Sequence, residues 1–326
     1  MDTFIFTCGD INGIGPEICL KTINEIYSPG KYRIIFICPS AVFINLTKKN
    51  KPNFDFSFVH TINETNYSTR SLLVYDIGKC RQQIGVPTKD SGNISFKAVN
   101  ISLQIMNKKM GDALITAPIS KEAWKMAGIN FPGHTEFITK KSGAKNSVMM
   151  FVSDEMKAVP LTIHIPVKKV SRSITEEKLS NSIKIVMNSL STDFKIRNPR
   201  IAMLGLNPHA GESGSIGVEE NKIIVPLMKK MKRYNVEGPF VPDAFFGRKL
   251  YKEYDAVIGM YHDQVLIPFK MLSFEKGVNF TAGLKIISTS PDHGTAFDIA
   301  GKNTADPGSM IEAFKIAKSI SSNRKS

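Results

Sequence analysis

Three of the chain's six histidines share a setting. His164 falls in the run "VPLTIHI", His209 follows "RIAMLGLNP", and His262 closes "DAVIGMY". Each run is short, apolar and bounded by turn residues, so each reads as a strand with a histidine at or just past its C-terminal end. Imidazole suits zinc and other first-row divalent metals, and three imidazoles leave an open position on the ion for a substrate. The plainer reading of each is a histidine that hydrogen-bonds at a strand end. They are far apart in the chain and form no local motif such as H-E-x-x-H, so a shared metal requires the three strand ends to converge. Asp263, beside His262, is placed to orient the ring or a bound water.

Other loops offer polar groups. "FPGHTEFI" reads as a turn into a helix, with His134 and Thr135 near the first turn, where free backbone N–H groups favour an anion. Thr135 could equally cap that helix. Asp243, in "VPDAFF", is a helix N-cap or a substrate ligand. Lys270 could pair with a phosphate or carboxylate, or stand solvated at the surface. Asn279, Asp292 and His293 follow it in "VNFTAGLKIISTSPDHGTAF". Two glycine-rich loops, "CGDINGIGPE" and "GLNPHAGESGSIGVEE", bring backbone close to a ligand or make sharp turns. Neither has the G-x-G-x-x-G spacing, and no Gly-Lys-Ser/Thr follows, so neither a Rossmann dinucleotide site nor a P-loop is supported.

The elements that must position these groups alternate. Residues 33–38, 71–76, 112–117, 147–152, 159–165, 200–206 and 255–261 read as strands apolar on both faces, as parallel strands covered by helices are. Between them, "TEEKLSNSIKIVMNSL" places Leu179, Ile183, Val186, Met187 and Leu190 on one helical face. "EENKIIVPLMKKMKRY" is similar, with Pro226 kinking it or delaying its start. Residues 92–108 form a third helix. The alternation predicts an α/β fold with mostly parallel sheets, in which ligands sit beyond the carboxyl ends of the strands.

The 326 residues exceed the ~250–300 at which single cores stop growing, so two domains are expected. No apolar run approaches a membrane span, and the N-terminus carries no signal-peptide pattern. The four cysteines make no C-x-x-C pair and read as reduced thiols of a cytoplasmic protein. The net charge of +14 is spread as scattered pairs, without a basic block or nucleic-acid motif, so no nucleic-acid partner is expected. The last residues, "SSNRKS", read as disordered.

The blocks "GDINGIGPE", "ALITAPISKEAW", "FPGHTEFI", "LGLNPHAGESGSIGVEE", "VPDAFF", "YDAVIGMYHDQVLIPFK" and "TSPDHGTAFDIAGKNTADPGSM", in this order, resemble the 4-hydroxythreonine-4-phosphate dehydrogenases of pyridoxal phosphate (vitamin B6) biosynthesis. The resemblance runs from about residue 5 to residue 315. It implies two α/β/α domains of the isocitrate/isopropylmalate dehydrogenase kind with the active-site cleft between them. The first would comprise residues 1–130 plus 285–326, the cofactor side, and the second residues 131–284. It implies a homodimer with shared active sites, NAD or NADP, a small phosphorylated substrate, and one divalent metal per site (zinc, magnesium or cobalt) on His164, His209 and His262. Substrate contacts fall on His134, Thr135, Lys270 and Asn279, with His134, Asp243 and Lys270 in catalysis; the dinucleotide-contacting residues stay unassigned. Where the family carries arginine in I-R-T-S, this chain has Ser288, which cannot supply a bidentate charged fork. A dehydrogenase of 4-phosphorylated threonate or erythronate is therefore the nearest alternative, and a metal-dependent phosphohydrolase a more distant one.

Overall fold

The computed structural model describes residues 1–61 and 71–326. Its contacts divide the chain into two compact units, residues 1–145 with 284–322, and residues 146–283 with 323–326.

Unit 1 runs β1 (Asp2–Thr7), α1 (Gly15–Ile26), β2 (Tyr32–Ile37), α2 (Ser40–Lys49), β3 (Asp55–Val59), β4 (Ser71–Tyr75), α3 (Lys89–Asn107), β5 (Ala113–Thr116), α4 (Lys121–Met126) and α5 (His134–Lys141). Unit 2 follows with β6 (Val148–Val152), β7 (Lys157–Pro160), α6 (Val170–Ser173), α7 (Glu176–Thr192), β8 (Ile201–Leu204), α8 (Val225–Lys230), β9 (Val236–Phe240), α9 (Pro242–Gly247), β10 (Ala256–Gly259), α10 (His262–Ser273) and β11 (Val278–Ala282). The chain then returns to unit 1 with β12 (Ile287–Pro291) and α11 (Gly308–Lys325).

The strands of unit 1 lie in the order β3-β4-β2-β1-β5-β12, and every neighbouring pair is parallel. Both faces are apolar because helices cover both. Phe314 of α11, for example, meets Phe4 and Tyr32 at ring-centroid distances of 5.0 and 5.3 Å. The break expected near residue 130 falls instead at 145. Phe137 of α5 explains this, since its ring packs on Phe96 of α3 at 4.9 Å and on Phe131 at 5.0 Å, inside unit 1. α3 begins three residues earlier than the expected 92, because Thr88 and Ser91 form a reciprocal capping box.

In unit 2 the order is β11-β6-β7-β10-β8-β9. β7, β10, β8 and β9 are mutually parallel, as the alternating pattern predicts. β6 is antiparallel to both β7 and β11. A tight turn joins β6 to β7, with Ser153 N–H bonded to the Met156 carbonyl at 3.1 Å, and a link this short can only reverse the chain. α7 buries Leu179, Ile183, Val186 and Leu190 completely, as its spacing requires, with Thr175 as N-cap. Pro226 delays α8: residues 220–224 form a wide π-type turn, and the regular helix starts at Val225. The terminal residues expected to be disordered are helical to Lys325, and Arg324 Nε reaches Asp193 Oδ1 at 2.6 Å.

Candidate active site

All three strands that lead to these histidines end before their apolar runs do. β7 stops at Pro160, although Leu161 and Thr162 N–H still bond the carbonyls of Gly259 and Met260 at 2.8 and 3.2 Å. The chain then turns away at His164, which sits in the left-handed region with φ 50°. β10 stops at Gly259, and His262 is the first residue of α10 rather than the end of a strand. The next ladder donor, Met260 N–H, is taken by the Gln264 side-chain oxygen at 2.6 Å. His209 lies five residues past β8, in a run of left-handed residues from His209 to Ser213.

The three strands are nevertheless adjacent and parallel, β10 lying between β7 and β8, so their C-terminal ends open on the same side. Two buried side chains stitch the loops together there. Thr162 Oγ1 donates to the Met260 carbonyl at 2.7 Å, tying the His164 loop to the end of β10. Gln264 Nε2 donates to the Gly205 carbonyl at 2.7 Å, tying the start of α10 to the end of β8. Each link lies two residues from His164 or His262, so the backbone that carries the two rings is held by buried hydrogen bonds.

The His209 loop has its own support. Glu220, buried at 2% exposure, accepts the N–H groups of Leu206 and Asn207 at 2.8 Å each and the Asn207 amide at 2.9 Å. A non-glycine residue in the left-handed region costs of order 1–2 kcal/mol, so the run 209–213 needs such anchoring. At Gly211 (φ 79°) a Cβ would lie 2.7 Å from the Glu220 carboxylate, so that position requires glycine.

The imidazoles of His164 and His262 come within 6.4 Å, centroid to centroid, and both line a cavity of about 240 Å³ with Thr162, Ile165, Val167, Val170, Tyr261 and Asp263. His262 Nδ1 pairs with Asp263 Oδ1 at 2.6 Å, which leaves Nε2 as the ring nitrogen directed elsewhere. Among the described residues no group of three or more His, Cys, Asp or Glu side chains stands close enough to hold a metal ion. The chain thus brings His164 and His262 together and hangs His209 from the neighbouring strand. As a donor set, imidazoles displayed just past adjacent strand ends, one with a carboxylate behind it, suit a borderline divalent ion.

The remaining candidates are placed as follows. Lys270 lies on α10 two turns beyond His262, about 12 Å along the helix axis at 1.5 Å per residue. Its ammonium sits 5.5 Å from the Phe274 ring centroid. Asn279 lies on β11 opposite Phe151, and its side-chain oxygen is buried without a hydrogen-bond partner. An orphan acceptor costs about 1–3 kcal/mol, which a ligand donor would relieve. Asp243 is exposed in the first turn of α9 and does not cap it, the N-cap being Val241.

His134 and Thr135 belong to unit 1 and open α5 as expected, but the N-cap is Gly133, so Thr135 is not the capping residue. His134 Nε2 lies 3.3 Å from Thr116 Oγ1. Burial pulls the His134 pKa down to about 4, with Glu136 opposing and Lys121 reinforcing, so the ring is neutral at pH 7. In an unfolded chain it would titrate near ~6.5. Between those values the unfolded chain binds the extra proton, so this contribution to stability is complete above ~6.5 and shrinks as pH falls toward 4. Denaturant titrations at about pH 7.5 and pH 5 should show a smaller loss of stability at the lower pH for His134→Gln than for the parent chain.

Gln264, Glu220, Thr162 and Thr116 went unread in the sequence. Thr162 and Thr116 had a signal, a single polar residue inside an apolar run, whereas Gln264 and Glu220 stand among other polar residues and had none.

This constellation sits on an α/β fold also found among the decarboxylating dehydrogenases. A solved isocitrate dehydrogenase from Methylococcus capsulatus superposes with a TM-score of 0.52 at 12% identity, covering 97% of this chain and 85% of that one, a likeness of fold alone. The structure titled 4-hydroxythreonine-4-phosphate dehydrogenase from Klebsiella pneumoniae superposes with a TM-score of 0.85 at 32% identity over 98% of each chain. A 4-hydroxythreonine-4-phosphate dehydrogenase of Bacteroides thetaiotaomicron is 37% identical over 327 residues, covering 98% of this chain and 88% of that protein. The chain belongs to the family described as pyridoxal phosphate biosynthetic protein PdxA, whose sequence model matches residues 32–317.

Proposed function

We propose that the chain oxidises 4-hydroxythreonine 4-phosphate with NAD or NADP to a 2-amino-3-oxo acid that decarboxylates to 3-amino-2-oxopropyl phosphate, a cytoplasmic step of pyridoxal phosphate biosynthesis. Family membership across residues 32–317 carries this reading. In the reaction the C3 carbon gives up a hydride and its hydroxyl a proton, and the β-keto acid then releases carbon dioxide. When bound, the nicotinamide accepts the hydride and a divalent ion (zinc, magnesium or cobalt), held by His164, His209 and His262, acts as a Lewis acid.

The chain's own residues do the rest. Lys270 supplies a cation for the phosphate or carboxylate. Asn279 offers its orphan oxygen to a substrate ammonium or hydroxyl donor. His134, neutral at pH 7, accepts a hydrogen bond or proton, and the N–H groups at the start of α5 around Thr135 favour an anionic group. Asp243, exposed beside the start of α9, is the second acid–base candidate.

Ser288 favours keeping one further reading, oxidation of 4-phosphorylated threonate or erythronate. It lies buried in β12 at 4% exposure, paired with Leu114, while Lys285 lies outside the strand and is exposed. Neither gives the charged fork of an arginine. Absorbance of reduced cofactor, followed with each phosphorylated substrate, with NAD and with NADP, and with and without chelator, tests the whole proposal. Phosphate release without cofactor reduction would instead indicate a hydrolase.

A homodimer is part of the same proposal. On α10, Ile267 (59% exposed) and Met271 (82%), with Phe274 (74%) just past its end, form one apolar stripe at helical spacing. The opposite face buries Val265, Leu266 and Phe269. The stripe lies on the helix that carries His262 and Lys270, so a second copy covering it would stand beside those groups. Met271→Glu with Phe274→Glu should yield monomers in sedimentation and at least about a tenfold loss of activity, as expected for charges forced into an apolar contact.

A further inference from the structure

We propose that Thr116 is the positioning residue for His134, holding the ring as the tautomer protonated on Nε2 and leaving the Nδ1 lone pair to meet the substrate. This rests on the role given to His134 above, and it follows from a count of hydrogens at one hydroxyl. Thr116 ends β5 and is fully buried. Its Oγ1 donates to the main-chain oxygen of Thr289 at 3.4 Å. A carbonyl can only accept, so in this bond the hydroxyl spends its single hydrogen on Thr289. With the hydrogen placed there, the oxygen accepts toward His134 Nε2, 3.3 Å away, and the ring supplies the N–H.

Thr289 belongs to β12, which pairs with β5 on the side away from β1, so both partners of the hydroxyl are fixed by the sheet and by the start of α5. Threonine suits the position because its branched Cβ restricts χ1 and keeps the oxygen between the two. Burial, which pulls the His134 pKa down to about 4, keeps the ring neutral, so one of its nitrogens retains a lone pair. Lys121 and Glu136 are the charged groups facing it. In the other tautomer Nδ1 would carry a hydrogen, and a substrate hydroxyl or ammonium donor would meet a second donor. The hydroxyl of Thr116 therefore decides which end of the imidazole works as the acceptor.

The test is long-range proton–nitrogen NMR on the full chain labelled at histidine, with His134 assigned by its loss in His134→Gln, alongside kinetics of Thr116→Val and Thr116→Ser. In the parent chain and in Thr116→Ser the His134 signals should show the Nε2–H pattern. In Thr116→Val the pattern should mix the two tautomers, and kcat/KM should fall about tenfold to a hundredfold, the scale of one lost orienting hydrogen bond. Thr116→Ser should stay within about threefold of the parent, since the same bonds remain. An Nδ1–H pattern in the parent chain overturns the proposal even if Thr116→Val fails to fold. So does full activity in a folded Thr116→Val. If the parent shows the expected tautomer but reduces no cofactor with any of the phosphorylated substrates, the reading of the function fails and the tautomer assignment stands.

Discussion

His262→Ala should yield a folded chain that no longer turns over. The ring is half-exposed and pairs with the adjacent Asp263 at 2.6 Å. The packing of α10 is carried by Val265, Leu266 and Phe269, which join a core with Phe151, Leu204 and Val257. Each such buried side chain contributes about 1.5–3 kcal/mol, and none is touched by the change. Stability should therefore move by less than about 1 kcal/mol, as for a surface substitution. Activity should fall by about a thousandfold or more, because the ring is proposed as one of three ligands to an ion that polarises the reacting oxygen. Divalent metal retained after dialysis should fall with it. Parent-like turnover together with parent-like metal content would remove His262 from the site.

Gln264→Leu should act in the opposite order, through the frame first and the chemistry second. The amide is the partner of Met260 N–H and of the Gly205 carbonyl, in a buried setting. Leucine fills similar space but leaves a donor and an acceptor unpaired, each costing about 1–3 kcal/mol. A loss of about 2–4 kcal/mol in denaturant unfolding is expected, near the lower half of that sum because the strand ends can relax. The link between the β8 and β10 ends goes with it, so metal affinity should drop about tenfold to a hundredfold, the range typical of groups that orient ligands. Unchanged stability would mean that water or another group replaces the amide, and the stitching of the two loops would then carry no weight.

β2, β4, β5, β6, β7, β8 and β10 were legible because their runs are apolar on both faces, and α7 because Leu179, Ile183, Val186 and Leu190 recur at the right spacing; β3 and β9, half-exposed along their length, and β11 and β12 were not read as strands. The strand ends were not legible. Where β10 stops depends on Gln264 reaching back to Met260, and where the chain leaves β7 depends on the turn at His164; neither is a property of local hydrophobicity. The polarity of β6 was hidden for a related reason, since composition fixes burial and only the short link to β7 fixes direction. The histidines could be picked out one by one from their positions after apolar runs. Their neighbourhood could not, because the sheet places β10 between β7 and β8, an order with no trace in the chain. The break at 145 was missed because the aromatic contacts of Phe137 with Phe96 span some forty residues.

Unit 1 is drawn from two stretches of chain, and this sets an order of events during synthesis. All six strands of the second unit, β6 to β11, lie within residues 146–283 and emerge from the ribosome consecutively. The sheet that starts first must wait with the flank of β5 uncovered until β12, residues 287–291, has been made. The later-born unit can thus close its sheet before the earlier one does. Until then the β5 edge is the nascent chain's exposed flank, where a chaperone would be of most use and a stray strand of most harm.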